Sequence, residues 1–142
     1  MSLISKSSLI LTACLAAALW LAPAAVLAED NLPLGRKLYE MGESRNPASV
    51  SFLLQNLASA DPHVRRIAAH ALGKIGDYKA SEPLMKLAMD QSQPSMVRCC
   101  AIRSLGRIDA GQAKPCLSAL CHSPDRIVRR AASSSLLLMA SN

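Results

Sequence analysis

A chain of 142 residues with 51% hydrophobic and 18% charged residues is long enough for one buried core and too apolar for general disorder. Aromatic residues make up only 3%, and Leu, Ala, Ile, Val and Met fill the apolar positions, which points to helices and away from sheet. Sixteen Lys and Arg stand against ten Asp and Glu, a formal charge of +6 that admits an acidic protein, an anionic membrane surface or nucleic acid as partner and selects none of them.

The first segment is read as a leader. Lys6 is the only charge before Glu29, and Leu9 to Leu27 is an almost unbroken apolar run ending in Val26-Leu27-Ala28. A basic start, an apolar core and small residues before an acidic step predict a secretory signal peptide over 1–28, cut after Ala28, and so an exported, periplasmic protein. Pro23 breaks the helix ahead of the cut and favours removal. Two other fates stay open. Leu11-Thr12-Ala13-Cys14 is similar to a lipobox, which would leave Cys14 lipidated. The run is also near the lower bound for spanning a bilayer, which would leave the chain tethered.

Residues 29–45 form an N-terminal segment in which Leu34 to Gly42 predicts a cap helix. Leu38, Met41, Gly42 and Glu43 align with Leu72, Ile75, Gly76 and Asp77 at a spacing of 34. From residue 46 the chain repeats in three units, about 46–77, 78–109 and 110–142. Val64-Arg65, Val97-Arg98 and Val128-Arg129 recur 33 and 31 residues apart. In the first copy Val64, Ile67, Ala68, Ala71, Leu72 and Ile75 fall on one face of an amphipathic helix, which Gly76 and Asp77 end. Upstream of each copy a shorter periodic stretch begins, at Val50 to Leu57, Pro83 to Met89 and Pro115 to Cys121, with both prolines suited to a first helical turn. Each unit therefore reads as helix, turn, helix.

Asp61-Pro62-His63-Val64-Arg65 through Asp77 follows the pattern Val-Arg-x-x-Ala-x-x-Ala-Leu-Gly-x-Ile-Gly-Asp, and in this it resembles a HEAT repeat of the phycobilisome-lyase type. The second copy keeps Val-Arg, Leu-Gly and Ile-Asp but has Cys99-Cys100 among its small residues, and the third has Leu136-Leu137 where the others have Leu-Gly. The resemblance covers the chain from about Pro47 onward. It implies an all-α short α-solenoid of about three HEAT-like helix pairs with a partial N-terminal cap helix. It also implies binding along the surface formed by the second helices, as a scaffold for protein–protein interaction or assembly. Related repeats occur in lyases that attach or detach bilin chromophores, so a bilin lyase-like or other enzyme-associated role is the alternative, beside a basic module on an anionic membrane surface.

The arginines of the second helices divide into two sets. Arg65, Arg98 and Arg129 recur once per unit and are read as structural, paired with carboxylates such as Asp61, Asp90 and Asp125. Arg66, Arg103, Arg107 and Arg130 follow the repeat less strictly and are the candidates for contact with an unidentified, acidic protein partner. Nucleic acid is disfavoured, because Tyr39, Phe52 and Tyr78 are too few for a base-stacking platform. The C-terminus ends in Leu136-Leu137-Leu138 without a polar cap. Three consecutive leucines cannot all face the preceding layer, so Leu137 and Leu138 are candidates for docking a second copy or another protein.

Cys99, Cys100, Cys116 and Cys121 leave only cross-helix disulfides open, and Cys100 with Cys121 is the pair of inward positions. Free buried thiols are the alternative. No catalytic, cofactor or metal site stands out. HEAT-repeat hydroxylases that hold two irons use paired His-Glu steps, whereas His63, His70 and His122 are followed by Val64, Ala71 and Ser123. On the sequence, then, the chain reads as a binding protein and not as an enzyme.

Overall fold

A computed structural model describes residues 31–108 and 111–141. The leader expected over 1–28, with the cut expected after Ala28 and the alternative at Cys14, lies outside the described residues. The account below concerns the unit Leu34–Asn142.

Among the described residues the regular elements are helical: α1 (Asn31–Glu43), then three pairs, α2 (Val50–Asn56) with α3 (Pro62–Ile75), α4 (Ser81–Met89) with α5 (Ser95–Ile108), and α6 (Lys114–Leu120) with α7 (Arg126–Ala140). Each first helix is entered through a short 3-10 turn, at Pro47–Ser49, Tyr78–Ala80 and Gly111–Ala113, which the periodicity does not predict. Asn46 and Asp77 start the first two of these turns by accepting from the amides of Ala48 and Lys79 at 3.0 and 2.9 Å. Two of the second helices, α3 and α7, start from aspartates as well. The Asp61 carboxylate accepts from His63 N–H at 2.8 Å, with Pro62 in the first turn, and Asp125 accepts from Ile127 N–H at 2.8 Å. Such caps stabilise a helix by about 1 kcal/mol each, because they satisfy amides with no partner inside the helix. Gly76 closes α3 in the left-handed conformation at φ 80°, its N–H bonded to Leu72 O.

The second helices stack on one another, α3 against α5 and α5 against α7, and each first helix packs on its own second helix. Leu53, Leu72, Leu84, Ile102, Leu105 and Leu117 are fully buried, as are Val64 and Val128 of the recurring Val-Arg step. Each such side chain contributes about 1.5–3 kcal/mol by leaving water.

Glycine sets the distance between layers. A Cβ on Gly73 would stand 2.8 Å from Ser104 Cα, one on Gly106 3.1 Å from Ser135 Cα, and one on Gly42 2.7 Å from Ala71 Cα. At these places two helix backbones meet with only a small residue between them. Where that residue is serine its hydroxyl donates across the layer, Ser104 to Ala69 O at 2.7 Å and Ser135 to Ile102 O at 3.1 Å. The same contact shows what α1 is. Gly42 plays the part of Gly73, not of Gly76, so α1 is a second helix in register 31 residues upstream, three fewer than the alignment gives. Tyr39 of α1 stacks on His70 of α3, with ring centroids 6.4 Å apart, and Lys74 reaches Glu43 at 3.1 Å.

Gly73→Ala is expected to destabilise the chain, since the added methyl meets Ser104 Cβ and Cα as well as its hydroxyl, and turning the hydroxyl aside would not clear the backbone. Helix propensity favours alanine by up to about 1 kcal/mol, but overpacking of about 1–3 kcal/mol or more outweighs it. Gly111→Ala, where a Cβ meets nothing within 4 Å, is the control. Thermal melts that leave Gly73→Ala as stable as that control would contradict the layer contact.

Candidate binding face of the second helices

The recurring arginines go to the turns. Arg65 Nη1 donates to Ser59 O and Ala60 O at 2.6 and 3.0 Å, and Arg129 Nη1 donates to Ser123 O and Pro124 O at 2.7 and 2.9 Å. Arg98, almost fully buried, donates from Nε to Ala88 O at 2.9 Å. These are the carbonyls that a short first helix and its turn leave open, and a guanidinium satisfies two of them at once. The structural reading of this set therefore stands, with backbone carbonyls as the bonded acceptors in place of the carboxylates expected from the sequence. Carboxylates contribute through space: Arg98 helps to lower the pKa of Asp90 and of Asp125, behind the hydrogen bonds from Ser92 and Gln93 and from Ser95 respectively. The Ser95 hydroxyl binds Asp125 across the second and third units.

The irregular arginines lie on the outer surfaces of the same three helices. Arg103, Arg107 and Arg130 are exposed, while Arg66 is half-buried, with Nη2 3.2 Å from His63 Nδ1. Arg107 Nη1 approaches His70 Nδ1 at 3.4 Å. A series Tyr39, His70, Arg107 thus crosses from α1 through α3 to α5. His70 is held below the usual histidine range, first by burial and then by the charges of Arg107 and Lys74, with Glu43 opposing and Arg66 adding. Beside it opens a shallow depression of about 450 Å³ lined by Arg45, Gly73, Lys74, Ile75, Gly76 and Arg107. Of this group the sequence marks only Arg107 as a binding candidate. Lys74 and Arg45 carry no repeat signature, and only the packing brings them to one opening.

At the other end Leu137 and Leu138 are 72% and 43% exposed, whereas Leu136 packs against the core. Leu137 stands two residues past Ser135, where Gly73 and Gly106 stand two residues past Ala71 and Ser104.

The four cysteines beyond residue 30 are free, so the Cys100–Cys121 bridge is not formed. Helix α6 packs on α7, and the Cys121 thiol lies 3.5 Å from the Ser133 hydroxyl of that helix. Cys100 faces the preceding layer, within the field of Arg66. Burial raises the pKa of Cys99, Cys100 and Cys116, which keeps them protonated and poorly nucleophilic. Among the described residues no group of three or more His, Cys, Asp or Glu could hold a metal ion, and no helix is long and apolar enough to cross a membrane.

The sequence profile of the HEAT repeats family matches residues 38–94 and 50–137, most of the chain. This is a HEAT-repeat protein. No curated protein matches it. Among solved structures, human deoxyhypusine hydroxylase in complex with glycerol superposes on 75% of the chain with a TM-score of 0.70 and 20% identity. The complex of CpcE and CpcF of phycocyanin lyase from Nostoc sp. PCC7120 superposes on 74% with a TM-score of 0.63 and 24% identity. The chain spans 37% and 43% of the length of those two chains, and at such identities the likeness is one of fold.

These neighbours correct one expectation. The sequence reading that the chain is not an enzyme does not stand, since solved structures that share its fold include a hydroxylase and a lyase complex. A HEAT stack is as much a part of enzymes as of scaffolds, and its presence gives no argument against catalysis.

His70 gives the HEAT stack a pH dependence of defined sign. Its pKa is lowered on folding, so the unfolded chain binds the proton more readily; stability is present above the ordinary value of 6.5 and is lost as pH falls below it. The carboxylates with lowered pKa, Glu43, Glu82, Asp90 and Asp125, start from 4.5 or 3.8 and act at more acidic pH. Melting temperatures followed from neutral pH to about pH 5 should fall in the wild type and fall less in His70→Gln. Equal slopes would remove His70 as the cause.

Proposed function

We propose that this protein is an exported HEAT-repeat adaptor that binds an acidic segment of a protein partner along the outer faces of α3, α5 and α7. One observation carries the reading. The arginines of these helices separate into a set bonded to turn carbonyls and a set that the fold does not use in that way, with Arg103, Arg107 and Arg130 turned to solvent. Layers held at a common spacing array those charges along one series of helices. An acidic chain crossing the layers would meet several of them in turn, which favours a peptide over a small ion. Arg66 joins the face at its edge through His63. Leu137 and Leu138 offer a separate apolar contact at the C-terminal end.

Export is supported by the first 28 residues alone, with Lys6 ahead of the apolar run and Val26-Leu27-Ala28 before Glu29. The basic face belongs to the part of the chain that such processing would release.

Crosslinking and mass spectrometry on the native chain, recovered from the cell envelope without residues 1–28, test both parts together. The wild type should yield crosslinks from α3, α5 and α7 to acidic stretches of a partner. The variant Arg103→Glu, Arg107→Glu, Arg130→Glu should lose them while keeping its helical content by circular dichroism. Rising ionic strength should weaken the complex, because the screening length falls from about 10 Å at 0.1 M to about 3 Å at 1 M. A charge-reversed variant that retains the same crosslinks would overturn the binding face, and a native chain that keeps residues 1–28 would overturn cleavage.

A further inference from the structure

The depression between the end of α1 and the ends of α3 and α5 differs in kind from the rest of the basic face. Three of its lining residues are cations, and they come from three separate segments: Arg45 from the turn after α1, Lys74 from the last turn of α3, and Arg107 from the last turn of α5. One carboxylate approaches from α1. Glu43 is held by Lys74 Nζ, at 3.1 Å from one oxygen and 3.3 Å from the other. Among the described residues that line or reach this depression, one negative charge thus stands against three positive ones. Arg107 directs one N–H toward His70 at 3.4 Å, and a guanidinium carries five.

The backbone gives a second, independent observation. Arg45 has φ 49°, in the left-handed region that costs an L-residue free energy and that glycine enters freely. At the turn after α3 the residue with positive φ is Gly76, at φ 80°. Both residues line the same depression. Arginine in a place suited to glycine works against the fold and gains a cation at the rim. A purely structural account covers Lys74 and Arg107, because cations in a last helical turn face the open carbonyls there. It leaves Arg45 without a reason.

We infer that this depression anchors one carboxylate of the acidic segment, a Glu or Asp side chain held between Arg45 and Arg107 while Glu43 stays on Lys74. The inference rests on the binding face proposed above and narrows it to one place. Two guanidinium groups suit a carboxylate, since each can present paired N–H donors to its two oxygens. The opening is shallow, which suits a side chain reaching in from a peptide that passes over it.

The test is fluorescence anisotropy of the full-length chain with a labelled oligoglutamate peptide, and oligoglutamine as the control. Arg45→Gly should weaken oligoglutamate binding about tenfold or more, as the loss of a charge-assisted hydrogen bond does. The same variant should melt at a higher temperature than the wild type, because glycine relieves the strained backbone. That pairing separates an anchor from a fold residue, which would lose stability together with binding. Arg107→Gln should weaken binding to a similar degree, and Glu43→Gln should strengthen it by freeing Lys74. Unchanged affinity in Arg45→Gly, or a lowered melting temperature, would overturn the anchor. If Arg45→Gly and Arg107→Gln bind as the wild type while Arg103→Glu with Arg130→Glu abolishes binding, the anchor falls and the wider face stands. If oligoglutamate binds no better than oligoglutamine, the wider face falls with it.

Discussion

The layers of this protein are joined where a glycine of one second helix meets a small residue of the next: Gly42 on Ala71, Gly73 on Ser104, Gly106 on Ser135. Backbone meets backbone there, so the spacing is fixed by covalent dimensions and does not depend on side-chain rotamers. The other features follow from that spacing. Serine hydroxyls can reach carbonyls of the neighbouring helix, Tyr39 can lie parallel to His70, and Arg107 of one layer can approach His70 of the layer before. A looser stack packed through leucines alone would bury comparable surface without holding these groups in line.

A division of labour among the arginines follows. Short first helices of seven to nine residues leave many carbonyls open, and one arginine per unit folds back to satisfy them. A buried or half-buried guanidinium committed to one or two carbonyls is part of the fold. The outer arginines are not bonded to turn carbonyls, and the charge of Arg107 adds to burial in holding His70 below its ordinary range. Structure and electrostatics therefore use the same residue type on the same helix for opposite ends. Their spacing in the sequence, strict or irregular, tells them apart.

The helix pairs were legible because their signals are local. Val64, Ile67, Ala68, Ala71 and Leu72 mark one helical face, and Asp61-Pro62 and Gly76-Asp77 punctuate it. What was not legible lies across layers or in the backbone. No local pattern states that Gly73 meets Ser104, so by residue type Gly42 aligns with Gly76, whereas its packing matches Gly73. A sequence points Arg65, Arg98 and Arg129 to carboxylates because these are visible in it, whereas turn carbonyls belong to every residue and leave no mark. Arg45 has significance only through a dihedral angle, and Lys74 only through its neighbours. The Cys100–Cys121 pairing failed for a related reason: two inward positions in an alignment need not face each other when their helices pack on different partners.

Leu137 occupies the place where the two preceding layers carry glycine, and its side chain points into solvent. A repeat duplicated onto this end would find its first backbone contact obstructed by a bulky side chain, so the gene could grow by a unit only if that leucine were exchanged in the same event. A copy or partner meeting this end would have to pack around that leucine and not through a glycine contact of the kind that joins the layers.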